Sequence, residues 1–358
     1  MSEKTKRAYG LWDSPLSPKA MAEATGLKDV QWAADGTLVW LESRDGTSVL
    51  VARERDDAPR DITQEHKVSG GVGYGGGEFC VHDDTAYFAC SDGRLYRTAL
   101  DEGTPTALTP KFGSLASPSA SPDGSWVAYV HTVDGTDSIG VVDADGERWP
   151  SRVASGADFY MDPAWSPDSD KLAWIEWDHP NMPWSGTRLM VADTVATQAG
   201  MALGEARQIA GGEDVSVIQP AFSPDGQYLA FASDDDGWWH VYIHDLESGS
   251  TRQLTHGEFE VGGPAWVQGI RTIAWKPGSD GLYAVRNRRG RMALIDVDLD
   301  GNTTAVDALS SYSEFAQPSV DSEGRVALLA SSSETPRRAI SWAPDESVRV
   351  EARSSAER

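Results

Sequence analysis

Few residues in this chain are spaced for chemistry. The Gly-x-Ser-x-Gly motif, which would set a serine nucleophile on a sharp strand-to-helix turn, is absent from all 358 residues. No serine–histidine or cysteine–histidine arrangement replaces it. The two cysteines, Cys80 and Cys90, fall in neighbouring strand-like segments. With the turn centred on Asp83 and Asp84, Cys80 faces Tyr87, the thiols are offset, and inert buried thiols are expected. The seven histidines, at 66, 82, 131, 179, 240, 244 and 256, show no recognised zinc spacing. His240 and His244 are four apart, but in strand-like sequence that spacing does not make a helical ligand pair. Asp296, Asp298, Asp300, Gly301, Asn302 and Asp307 sit at calcium-loop offsets. The segment nevertheless follows a strand rather than a helix and ends on aspartate instead of glutamate, so a structural turn is expected. Gly75-Gly76-Gly77 lacks the lysine and the following helix of a phosphate loop. Its expected role is to let the backbone swing tightly inward, so that Tyr74 and Glu78 point at whatever approaches. These residues indicate no catalytic group, no cofactor and no metal.

The elements that must position them come from a repeat. Ile218 to Ser233, IQPAFSPDGQYLAFAS, matches Ala316 to Ser331, AQPSVDSEGRVALLAS, without a gap in apolar positions, turn and final serine. Further copies stand at Ala116, Met161 and Val30, with more degenerate ones at Phe79 and Ile273, giving seven in all. Their anchors, 34, 82, 122, 167, 224, 277 and 322, are spaced by 48, 40, 45, 57, 53 and 45 residues, near the blade length of propellers. Ser-Pro-Asp-Gly supplies a turn, because proline presets φ, aspartate bonds its own backbone and glycine releases the chain. Short apolar runs such as Trp126 to Val130 and Tyr228 to Phe231 read as buried strands around it. Four short antiparallel strands recurring seven times, with no credible helix beyond Lys19 to Thr25, give an all-β fold, a seven-bladed β-propeller. Trp32, Trp126, Trp165, Trp174 and Trp275 lie in repeat strands and are expected in the core between blades.

In an up-and-down blade the loops after the second and fourth strands share one face. The irregular segments all fall there: Gly70 to Glu78, Trp177 to Trp184, and Asp234 to Trp239. Loops held by a rigid scaffold carry function, so this face is the expected functional one. Trp177, Trp184, Trp238 and Trp239 are its expected surface binders. Composition limits the partners. With 55 acidic against 31 basic residues the formal charge is −24, which repels phosphate backbones and anionic lipid and argues against nucleic acid and membrane surfaces. No run approaches the roughly 18 apolar residues of a membrane span, and no apolar run follows the basic Met1 to Gly10, so a cytoplasmic location is expected.

At WDHPNMPW (177–184), GWWHVYIHD (237–245), YGGGEF (74–79) and YGLWDSPLSP (9–18), the chain resembles the N-terminal propeller of the S9 (prolyl oligopeptidase) serine peptidases, in the acylaminoacyl-peptidase or dipeptidyl-peptidase branch. The SPDG repeats alone are shared with TolB-type propellers. The resemblance implies a propeller set over an α/β-hydrolase domain that carries Ser, Asp and His and admits only short peptides or small amides. That family often has glutamate before Tyr-Gly-Gly-Gly, where this chain has Gly73, and aspartate after the second tryptophan of the His-Pro-Asn segment, where it has Ser185. Glu78 is the candidate to replace the missing carboxylate against a peptide ammonium. The expected organisation is an N-terminal segment over 1–24 and the propeller over 25–355, with the hydrolase domain outside this chain. The expected function is non-catalytic gating and substrate filtering, inactive alone, with Tyr74, Glu78, Asp178, His179, Asn181, Trp184, Trp238 and Trp239 contacting substrate or partner domain. The alternative is a free-standing TolB-like scaffold that binds a protein or peptide, and a weaker third reading is an enzyme with a metal site in its tunnel.

Overall fold

A computed structural model of the chain describes residues 6–12, 25–55, 57–101, 103–198 and 200–355. The chain folds as an all-β, seven-bladed propeller of antiparallel sheets, each built from one contiguous stretch. The first blade is Gly26–Trp32, Leu38–Arg44, Thr47–Arg53 and Arg60–Asp61, and the seventh is Glu314–Val320, Val326–Ser331, Arg338–Trp342 and Arg349–Arg353. The one helical element among the described residues is a single turn, Asp307–Leu309. The helix considered near Lys19 lies outside the described residues.

The repeated turn works as its residues dictate. Ser121 donates to the Asp123 carboxylate at 2.5 Å and accepts the Trp126 N–H at 2.9 Å, while Asp123 accepts the Ser125 N–H at 3.0 Å. Ser223, Asp225, Gln227 and Tyr228 repeat these bonds at 2.6, 2.9 and 3.0 Å. Neighbouring turns are also joined, because the Asp123 N–H donates to Ser169 Oγ at 3.1 Å and the Asp225 N–H to Ser279 Oγ at 3.0 Å. The Asp298 turn is of the same kind: its carboxylate accepts from the Asp300 and Asn302 N–H groups at 3.0 and 2.8 Å, as the structural reading of that segment expected.

Between every two adjacent blades lies one apolar cluster, so the core is a ring of wedges. Val39, Leu41 and Leu50 of blade one meet Phe79 and Phe88 of blade two, for example, and Ile175 and Leu189 of blade four meet Phe231 of blade five. Trp165, Trp174 and Trp275 are buried in these wedges as expected, and Trp32 and Trp126 pack against them. Two indoles show why the repeat keeps tryptophan: Trp165 and Trp275 each donate at 2.9 Å to a carbonyl of the preceding blade's innermost strand, Ser119 and Ala221. The ring closes on the same physics. Leu27, Trp40 and Val51 of blade one pack on Ala327 and Leu329 of blade seven, flanked by an Arg53–Glu351 ion pair at 3.1 Å.

The two longest spacings mark departures from four plain strands. The 57-residue unit extends blade four: its third strand, Arg188–Thr197, pairs along one half with Arg207–Gly211 and along the other with Gly200–Leu203. The 53-residue unit instead carries a long connection from Thr251–Gln253 of blade five to Ile273–Trp275 of blade six.

Candidate functional site

The glycine-rich loop of blade two, the Trp177–Trp184 loop of blade four and the long connection from blade five to six meet on one face. Trp266 of that connection is the hub, with its ring centroid 4.2 Å from Trp184 and 6.4 Å from Tyr74. Tyr74 and Trp266 are 79 % and 57 % exposed. Beneath them Phe159, Trp177, Met182 and Trp184 line an apolar cavity of about 130 Å³. At its base sits the buried Asp137 carboxyl, bonded to the Thr132 hydroxyl at 2.5 Å; desolvation pushes its pKa up. Both ends of the ring emerge on this face, where the Thr25 N–H donates to the Ser354 carbonyl at 2.9 Å.

The other expected site residues divide into fasteners, core and free surface. Asp178 pairs with Arg188 at 2.8 Å, a hydrogen bond that holds its carboxyl below the usual range, and accepts the Asp158 N–H at 2.9 Å. His179 stands edge-on to Phe159 with centroids 4.8 Å apart, and Asn181 donates to the Glu213 carbonyl at 3.0 Å. These three hold the loop in shape. Trp238 is 40 % exposed but stands apart from the Tyr74–Trp184–Trp266 cluster, lining none of its cavity. Trp177 and Trp239, expected at the surface, are buried instead. Trp177 stacks on Phe159 with centroids 5.2 Å apart. Trp239 is covered because Gly262 lies flat on its indole, where a Cβ would come within 2.7 Å of the ring. Glu78 is half-buried at the tunnel mouth; burial raises its pKa, Lys28 opposes the rise and Asp29 adds to it.

The tunnel itself is shut. Four innermost strands carry a residue before proline with φ in the left-handed region: Ser117 at 48°, Asp162 at 50°, Gln219 at 59° and Gln317 at 58°. Each coincides with a break in strand register and lies in the lumen, where its side chain grips the segment 268–272. Ser117 Oγ is 3.0 Å from Gln268 Oε1, and Asp162 accepts the Gly269 N–H at 2.9 Å. Gln317 accepts the Arg271 N–H at 2.7 Å and donates to the Gly269 carbonyl at 2.9 Å, while Gln219 accepts the Thr272 N–H at 2.6 Å. The Arg271 guanidinium reaches Asp29 of blade one at 2.6 Å. Five consecutive residues thus touch blades one, three, four, five and seven, which requires the segment to span the lumen. The glycine run crosses against it: Gln268 N–H donates to Gly75 O at 2.9 Å and Ser117 N–H to Gly77 O at 2.7 Å. A Cβ on Gly76 or Gly77 would strike Gln268 or Ser117, so the inward swing expected of these glycines is required. Cavities of about 570 Å³ and about 210 Å³ lie on either side of this plug. Asp162 keeps some surface open to the inner one, but the protein around it pushes its pKa up to about 6 by desolvation, against the pull of the Gly269 N–H and the Ser117 hydroxyl.

Sequence reasoning found Tyr74, Glu78 and Trp184 but not Trp266, Gln268 or Arg271. Those three lie outside the repeat, and their only trace is the 53-residue spacing. Both thiols are free, and burial raises the pKa of each, Cys80 to about 12. The face offers an aromatic platform, an apolar cavity and a carboxylate at the mouth, which suit contact with an apolar side chain and an ammonium group.

A family model described as "TolB beta propeller domain" matches residues 127–338. The "Protein TolB homolog" of Chlorobium luteolum (strain DSM 273 / BCRC 81028 / 2530) is 26 % identical over 158 residues, 44 % of this chain and 33 % of that protein. A Mycobacterium tuberculosis puromycin-hydrolyzing peptidase superposes with a TM-score of 0.86 at 26 % identity, over 99 % of this chain and 57 % of that one. Prolyl oligopeptidase B from Galerina marginata, at a TM-score of 0.68 and 12 % identity over 94 % of this chain and 51 % of that one, shares the fold. The chain therefore spans only a third to just over half of the relatives it matches.

Proposed function

The chain belongs to the TolB β-propeller family, in the form met in S9-type peptidases, and we propose that it is the non-catalytic, substrate-filtering propeller of such a serine peptidase. Its Tyr74–Trp184–Trp266 face packs against an α/β-hydrolase domain that supplies the nucleophile. The observation that carries this reading is that both ring ends, the aromatic platform and the tunnel mouth share one face. With the lumen plugged, filtering works at the gap between propeller and hydrolase, which passes short peptides or small acyl or aminoacyl amides and excludes folded chains. Glu78 stands where a substrate ammonium would enter. The two free thiols fit a reducing cytoplasm.

The test is to pair the propeller with its hydrolase domain, in trans or in one chain, and measure docking. Trp184→Ala and Trp266→Ala are expected to weaken it by about 2 kcal/mol each, as truncated aromatic anchors do. Asp145→Ala and Asp300→Ala, in turns of the opposite face, are expected to change it little. Equal losses from both faces would sink the assignment. The TolB likeness favours a second reading, a scaffold that captures a protein or peptide on this same face. A reading frame encoding Gly-x-Ser-x-Gly beyond codon 358 supports the peptidase, and its absence supports the scaffold.

A further inference from the structure

A further cavity, of about 390 Å³, lies between blades two and three and shares no lining residue with the Tyr74–Trp184–Trp266 cluster. Its walls are the connection carrying Lys111 and Phe112 and the turn carrying Trp149, which leads into Arg152. Phe112 and Trp149 are 59 % and 79 % exposed, so two aromatic rings stand open to solvent at its rim. The wall is held in place: the His131 ring donates through Nε2 to the Phe112 carbonyl at 2.7 Å, and its centroid is 5.8 Å from Phe112 and 6.0 Å from Tyr129. Tyr129 forms the floor. It is 2 % exposed overall, and its hydroxyl, which makes no hydrogen bond among the described residues, keeps open surface rather than being a buried orphan. That hydroxyl lies over Gly140, where a Cβ would come within 2.9 Å of it, so glycine leaves the phenol room to reach the cavity. Lys111 and Arg152 are exposed at the rim, and neither side chain forms an ion pair among the described residues. In a chain of net charge −24, two unpaired cations beside two open aromatic rings form a marked local reversal.

We infer that this groove binds an aromatic carboxylate of the size of an acylated aromatic amino acid. The volume lies within the range of small-ligand sites, and the lining has their usual make-up of apolar walls with a few polar groups. The ring inserts between Phe112 and Trp149, where offset or edge-on contact is favourable. The carboxylate takes charge-assisted hydrogen bonds from Lys111 and Arg152, and the Tyr129 hydroxyl donates to the acyl oxygen. A monoanion fits better than a dianion, because the field of a strongly acidic chain penalises each added negative charge.

The test is calorimetric or ligand-observed titration of the full chain with N-acetyl-L-phenylalanine. Saturable binding is expected, at least tenfold weaker for its amide and for N-acetyl-L-alanine. Trp149→Ala and Lys111→Glu, both at exposed positions, should each weaken binding at least tenfold while thermal melts stay unchanged. Trp184→Ala, in blade four and outside the lining of this cavity, should leave it intact, which separates this site from the docking cluster. Absence of saturable binding, equal affinity for acid and amide, or full affinity in Trp149→Ala would overturn the site. Tighter binding of phenyl phosphate would overturn the carboxylate assignment.

Discussion

Asp162 couples the closed lumen to pH. Its folded pKa of about 6 lies above the ordinary aspartate value, so the folded state binds the proton more tightly than the unfolded chain. The stability this group contributes is therefore fully present below about pH 4 and is lost as pH rises through about 6. Asp162→Asn keeps an acceptor for the Gly269 N–H but removes the titration. Relative to the parent chain it is expected to gain up to about 3 kcal/mol between pH 4 and 7, read as the difference in urea midpoints across that range. A constant difference would show that Asp162 does not titrate there. Arg271→Ala should destabilise by about 3 kcal/mol, because Asp29, 3 % exposed, is left as a buried charge without its cation. At this scale the sequence was half legible. Tyr74 and Trp184 stood out because their loops broke the pattern. Ser117, Asp162, Gln219 and Gln317 did not, because inside the repeat they looked like ordinary strand residues, and only the proline after each hinted at a bulge.

Among the elements, the segment 268–272 matters most, because it is irregular backbone held by the regular strands around it. Gly269 has φ of 73°, and a Cβ there would lie 2.6 Å from Gly77 Cα, so Gly269→Val cannot keep the crossing of the two loops. The seven apolar clusters between blades contain no residue of either crossing segment, 75–77 or 268–272. The variant is expected to retain its β-type far-UV spectrum while residues 75–77 and 268–272 lose hydrogen-exchange protection together. Independent loss at the two loops would mean that they are not one cooperative unit. The sequence announced the regular elements through turn chemistry, since the Ser-Pro-Asp-Gly set fixes where the first strand ends and the second begins. It did not announce the plug, because a segment whose backbone is held largely by side chains from other blades has no periodicity, and the lone Gly269 does not distinguish it from an ordinary surface loop.

For the whole molecule, the repeat prescribed seven similar wedges, and the structure has them, with one apolar cluster at every junction. The expectation of inactivity in isolation belongs to this scale too. The chain is expected to leave acyl-aminoacyl and aminoacyl chromogenic amides intact and to take no stoichiometric fluorophosphonate label; labelling at one site per chain would contradict the reading of the propeller as non-catalytic. Among the described residues all four strands of blade seven come from one stretch, and none is shared across the junction with blade one. Six of the seven junctions are reinforced by a covalent connection, and this one is joined through space by side-chain packing, ion pairs, side-chain-to-backbone bonds such as Trp32 N–H to Ser319 Oγ and, among the described residues, one backbone–backbone bond, Thr25 to Ser354. Mechanically, the ring is a split washer. Load applied at its rim will part it at that gap before any other, and a body that grips both lips of the gap acts as a clamp that raises the load the washer can bear.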